Sequence, residues 1–141
     1  MPRFLIVVKA TVESEAGVMP EDSLIAAMGK YNEELAKAGV MLDGSGLQPS
    51  SKGWRVQYAG GKRSVVDGPF AETKELVAGY WLIQTKTREE ALEWSTRAPN
   101  PHPGHDCHIE VRQLFELEDF AQTPAIDKHR EIRASLQSGR A

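Results

Sequence analysis

From Arg3 to Thr11 the apolar groups fall on both alternating faces, Phe4, Ile6 and Val8 on one and Leu5 and Val7 on the other. That pattern predicts a central strand covered on two sides. After a turn-like Ser14 to Met19, the spacing of Leu24, Met28, Tyr31, Leu35 and Ala38 predicts a helix over Pro20 to Ala38. Pro20 suits its first position, Glu21 and Asp22 its positive end, and Gly39 the residue just past it. Val40 to Leu47 reads as a short strand broken by Gly44 and Gly46. Trp54 to Ala59 alternates Trp54, Val56 and Tyr58 with Arg55 and Gln57; Gly60-Gly61 turns the chain and Lys62 to Asp67 returns it, a hairpin. Residues 71 to 78 form a connection with one helical turn, and Gly79 to Thr85 is a strand. Thr87 and Glu90 suit a capping box for a helix to Ala98, with Ala91, Leu92, Ser95 and Ala98 facing inward. A Pro-rich loop over Asn100 to His105 leads to a last strand, Ile109 to Phe115, and Pro124 opens a closing helix to about Gln137.

The order β-α-β, hairpin, β-α-β predicts an α+β class: a ferredoxin-like, split βαβ sheet with an inserted β-hairpin. Two helices cover one face of such a sheet. The apolar groups on the other face then call for a second copy, so a homodimer is expected. The domain is expected over residues 1–120, with 121–141 a polar, helical tail.

Composition narrows the class without naming a reaction. With 141 residues there is room for one core, and 40% hydrophobic with 26% charged residues is ordinary globular usage. A net charge of −3 supplies no long-range field for DNA or an anionic membrane, and the aromatics do not alternate with a basic stripe, so no direct nucleic-acid partner is expected. The five-residue apolar run Phe4 to Val8 is too short for a signal or a membrane span, and the single cysteine, Cys107, excludes an intrachain disulfide; a cytoplasmic, non-membrane protein is expected.

The most specific stretch is Asp67-Gly68-Pro69-Phe70-Ala71-Glu72-Thr73-Lys74-Glu75. Here the chain resembles the DGPFAETKE branch of the YCII-related proteins, whose name is that string. Its flanks also look like family blocks, among them Lys30 to Leu35, Gly46 to Ser50, Ala78 to Trp81, Glu89 to Trp94 and Ile109 to Arg112. The resemblance spans roughly residues 3 to 120 and implies a ferredoxin-like dimeric α/β barrel. It implies no metal and no cofactor. It leaves the biochemical role open: related proteins are taken for enzymes because of a pocket holding a histidine and an aspartate, and some branch members are linked to extracytoplasmic-function sigma factors. Gln48 stands where a histidine is common in the family, which removes the titrating half of a His-Asp pair. Gln113 stands where proline is common.

Asp67 at a strand end has a plain reading as a turn former and Phe70 as a core plug, and a chemical one as a proton-transfer group near Glu72, Lys74 and Glu75. Arg55 and Arg112 sit in otherwise apolar strands, where a guanidinium needs a carboxylate or a ligand anion. Glu110, two residues before Arg112 on the same face, offers a structural ion pair; a meeting of Arg112 with Asp67 across the sheet would instead build a catalytic pair. Gln48, Arg55, Glu72, Lys74 and Glu110 complete the candidate ligand-binding set. His102, His105, Cys107 and His108 are dense enough to suggest a metal, yet they lie in a turn-rich loop with no second cluster, so a solvated loop is the expectation. Two functions follow: a regulatory or metabolite-binding module with a sigma factor as a possible partner, or an acid/base enzyme on a small carboxylate or ketone using Asp67 with Arg55 and Arg112.

Overall fold

The computed structural model describes residues 1–139. Their main elements are β1 (Arg3–Lys9), α1 (Val12–Glu15), α2 (Asp22–Lys37), β2 (Met41–Gly46), β3 (Trp54–Ala59), β4 (Lys62–Asp67), β5 (Val77–Gln84), α3 (Arg88–Thr96), β6 (Ile109–Gln113) and α4 (Pro124–Ser138). Strands β2, β5, β1 and β6 lie side by side in that order, every pair antiparallel, while β3 and β4 form a separate two-stranded sheet. With the hairpin set aside, the remainder is the βαββαβ plan of a ferredoxin-like α+β fold, with β1 and β5 at its centre.

Alternation along β1 and β5 divides the sheet into two faces. Phe4, Ile6 and Val8 join Trp81 and Ile83 in a buried cluster closed by Tyr31 and Leu35 of α2, Val40, and Ala91 of α3. Burying each such large side chain contributes roughly 1.5–3 kcal/mol. Polar handles lock this layer. The Tyr31 hydroxyl donates to the Trp94 carbonyl at 2.7 Å, tying α2 to α3, and the Trp81 indole N–H donates to Asn32 Oδ1 at 2.6 Å. Tyr31 and Trp81 meet edge to face, centroids 5.2 Å apart. Gly44 makes room for the indole, since a Cβ there would lie 3.0 Å from Trp81 Cδ1.

The opposite face carries Leu5 and Val7 of β1, Tyr80 and Leu82 of β5, Asp43 and Ser45 of β2, and Glu110 and Arg112 of β6. It has no comparable cover. Val7 is buried, but Leu5, Tyr80 and Leu82 stay half-buried, and α4 buries none of its residues.

Several boundaries differ from the sequence expectation for identifiable reasons. Val12–Glu15 is helical, because Thr11 and Ser14 cap each other through both side chains. Helix α2 begins at Asp22, with Pro20 and Glu21 in the extended lead-in, and Ala38 is exposed. At α3, Thr87 Oγ1 accepts from the Glu90 N–H as expected, but the Glu90 carboxylate reaches one residue further back, to the Lys86 N–H. The same helix turns Ala91 and Ser95 to the sheet and leaves Leu92 55% exposed.

Candidate functional site

The DGPFAETKE segment begins where β4 ends, so its geometry starts with the hairpin. Gly60 and Gly61, at φ 59° and 73°, form the two-residue turn that pairs Ala59 with Lys62. Positive φ at both positions is what this tight, right-twisted turn demands, and glycine supplies it without strain. Every residue of β3 and β4 is exposed. Trp54, Val56 and Tyr58 share one face with their cross-strand partners Asp67, Val65 and Arg63. On the reverse face, the Arg55 guanidinium lies 3.8 Å from the centroid of the Phe70 ring.

At the base of the hairpin the chain is clamped. The Gly68 N–H donates to the Gly53 carbonyl at 3.0 Å, and a Cβ on Gly68 would fall 1.8 Å from the Ser50 carbonyl oxygen, so no side chain fits there. The Phe70 N–H donates to Ser50 Oγ at 3.0 Å. Ser50 in turn gives its N–H (2.9 Å) and its hydroxyl to the Glu15 carboxylate. One carboxylate at the end of α1 thus fixes Ser50, and through it Phe70. Glu15 escapes a sequence reading because it lies 35 residues before its partner, in a short helical turn whose capping box is closed by Ser14 in place of Glu or Gln.

The candidate residues fall into two groups. Gln48, Arg55, Asp67, Glu72 and Lys74 lie at the base of the hairpin, all exposed. The Asp67 carboxylate takes no part in the hydrogen bonds that hold the loop, so backbone and Ser50 do the work expected of it as a turn former. Phe70, expected as a core plug, lies outside the buried cluster and is half-buried against Arg55. Glu110 and Arg112 lie instead on the open sheet face, 3.5 Å apart as a same-strand ion pair. Asp67 does not meet Arg112 within the chain: it closes the separate hairpin sheet opposite Trp54, whereas β6 is the far edge strand of the main sheet.

Two residues not singled out as a pair in the sequence add chemistry to that open face. The Tyr80 hydroxyl donates to Asp43 Oδ2 at 2.8 Å, and this bond to a carboxylate raises the phenol above its ordinary pKa. Across the strands, Glu110, Val7, Tyr80 and Ser45 form one row, and Arg112, Leu5, Leu82 and Asp43 the next. The face is therefore an apolar strip rimmed by a carboxylate and phenol on one side and an ion pair on the other.

The histidine loop is organised by one contact to the backbone and one between side chains. A ring nitrogen of His102 sits 2.8 Å from the Lys9 carbonyl, and the Cys107 thiol donates to Asn100 Oδ1 at 3.0 Å. Among the described residues, no three His, Cys, Asp or Glu side chains converge in a way that could hold a metal ion. An open hollow of about 360 Å³ beside this loop is lined by Ser95, Asn100, Cys107 and His108 among others, but not by Asp67 or Arg112. Among the described residues, no helix is long and apolar enough to cross a membrane.

Comparison with known proteins agrees with this picture. The model of the YCII-related domain matches residues 3–117. An uncharacterised protein of Rhizobium meliloti (strain 1021) is 35% identical over 91 residues, which cover 64% of this chain and 69% of that protein. Since the match takes in all six strands, α1 to α3 and the clamped motif between β4 and β5, the chain belongs to the YCII-related family.

Proposed function

We propose that this protein is a non-catalytic, homodimeric binding module whose two open sheet faces enclose a small carboxylate-bearing metabolite. The observation that carries the reading is the open face itself: an apolar strip of half-buried Leu5 and Leu82 beside the buried Val7, between Tyr80 with Asp43 and Glu110 with Arg112. A strip this apolar in the middle of a sheet favours a second sheet over water. Arg112 is 75% exposed and only loosely paired at 3.5 Å, so its remaining donors are available to a ligand carboxylate. The Tyr80 hydroxyl and Asp43 add a donor and an acceptor for a neighbouring ligand oxygen.

The enzyme alternative needs Asp67 beside Arg55 or Arg112; among the described residues Arg55 covers Phe70 and Arg112 faces Glu110, so neither guanidinium is paired with it. A thermal-shift series with millimolar small carboxylates and ketones tests the binding reading, since a ligand that binds only the folded state raises its stability with concentration. Stabilisation by a carboxylate that disappears in Arg112→Gln supports it. No stabilisation by any carboxylate, or one untouched in Arg112→Gln, removes it. The regulatory version adds a sigma factor as the partner of the dimer. Co-purification with the extracytoplasmic-function sigma factors of the same genome checks it, and the absence of any complex ends that version.

A further inference from the structure

Among the described residues, the hairpin β3–β4 has an apolar face that no other element buries. Trp54 is 65% exposed, Tyr58 71%, Val65 67% and Val56 44%, and all four lie on one side of the hairpin. A two-stranded sheet alone in water is marginal, and so broad an apolar face on it marks a contact surface. We infer that the hairpin is an arm that packs on a second copy of this chain; the inference rests on the dimer proposed above and assigns it a second contact besides the sheet face.

Three observations select that occupant. The first is charge. The hairpin Trp54–Asp67 carries Arg55, Lys62 and Arg63 against a single carboxylate, Asp67, whereas the other 19 Asp and Glu lie elsewhere in the chain. The arm is basic and the rest of the molecule acidic, so a second copy presents the complementary surface, and a two-fold pair satisfies both arms at once. The second is area. A covered Trp or Tyr buries about 150–250 Å², so the face led by Trp54 and Tyr58 supplies roughly half of the ~800 Å² per partner that a stable dimer needs. The open sheet face provides the rest. The third is anchorage. The base of the arm is held by Ser50, Glu15 and the close approach of Gly68, so its direction is set before a partner arrives.

Sedimentation equilibrium on the full chain, wild type against the double variant Trp54→Ser/Tyr58→Ser, tests the inference. Loss of the two aromatic anchors is expected to raise the dimer Kd about 100-fold, roughly tenfold for each. Near-UV circular dichroism from Trp81 and Tyr31 checks that the core is intact. Val65→Ser on the same face is a milder substitution, expected to raise Kd about fivefold, and serves if the double variant does not fold. A wild-type chain that stays monomeric throughout overturns both the dimer and the arm. A wild-type dimer matched by equally tight variants leaves the dimer standing and overturns the arm. A basic arm with exposed aromatics is also the chemistry of a single-strand nucleic-acid grip. If a labelled single-stranded oligonucleotide binds the wild type, not the double variant, and dimer affinity is unchanged, the occupant is nucleic acid and the inference falls.

Discussion

The helix-covered face of the sheet and the hairpin arm are built from similar residues and end differently. Ile6, Leu35 and Ile83 are fully sealed by elements of their own chain, and the Tyr31 and Trp81 polar atoms inside that layer each find a partner. Trp54, Val56, Tyr58 and Val65 show the same alternation of large apolar groups, yet all are exposed, with Arg63 of the same hairpin over the Tyr58 ring. What separates the two is the presence of a third layer. Helices α2 and α3 reach the first surface, while the second is carried on a two-stranded sheet that, among the described residues, no helix covers. Stability should therefore be concentrated in the first region and association in the second.

The sharpest way to break that contrast is a matched pair of truncations. Leu35→Ala removes a fully buried side chain and is expected to cost about 3–4 kcal/mol. Val56→Ala on the arm should cost less than about 1 kcal/mol in the monomer. Urea unfolding at concentrations low enough to hold the chain monomeric measures both. Similar losses at the two sites would show that the arm shares the core's cooperativity.

A second test addresses the joint between the regions. Gly68→Ala places a Cβ where the Ser50 carbonyl oxygen lies 1.8 Å away, so the motif must shift off Ser50. The expected cost is about 2–3 kcal/mol, with tryptic cleavage at Lys52, Arg55, Lys62 and Arg63 rising about tenfold as the arm loses its anchor. Unchanged proteolysis would mean that the arm is held by something other than this loop.

How much of this is legible in the chain follows from the range of each signal. The two-sided alternation of β1 and β5, the four-three spacing of α2 and the Gly60-Gly61 turn act between near neighbours, and each predicts its element directly. The hairpin's separation from the sheet does not, because Trp54, Val56 and Tyr58 alternate in the same way whether their cover is near or absent. The clamp is hidden for a related reason: Glu15 and Ser50 are distant in sequence, and Ser14 rather than Glu or Gln completes the cap of α1. Tyr80 and Asp43 become a pair only once the register of β2 on β5 is known.

The pH dependence of the core sharpens the same contrast. Burial, chiefly, pushes the Tyr31 phenol up to about 12 from 10.0. The neutral phenol is favoured in the folded state, so its contribution is complete below pH 10 and is lost as pH rises toward 12. Discounted for residual contact with water, that loss amounts to roughly 2 kcal/mol. Unfolding free energies at intervals from pH 8 upward should show it in the wild type and not in Tyr31→Phe. An identical alkaline decline in both would place its origin elsewhere.

A smaller effect on the fold is expected at Glu15, whose carboxylate takes both the backbone N–H and the hydroxyl of Ser50 at the base of the arm. Its carboxylate accepts both donors of Ser50, and Ser50 accepts the Phe70 N–H, so one charge orders a chain of bonds that ends in the DGPFAETKE loop. In Glu15→Gln the shape is kept and the charge lost: one amide oxygen remains to accept, and the amide NH₂ replaces the second acceptor with a donor facing Ser50. About 1 kcal/mol is expected from the weakened pair, too little to move the core but enough to loosen the clamp. Tryptic cleavage of the arm should rise about threefold to fivefold at an almost unchanged unfolding midpoint. A midpoint shift as large as that of Gly68→Ala would assign Glu15 to the core rather than to the arm.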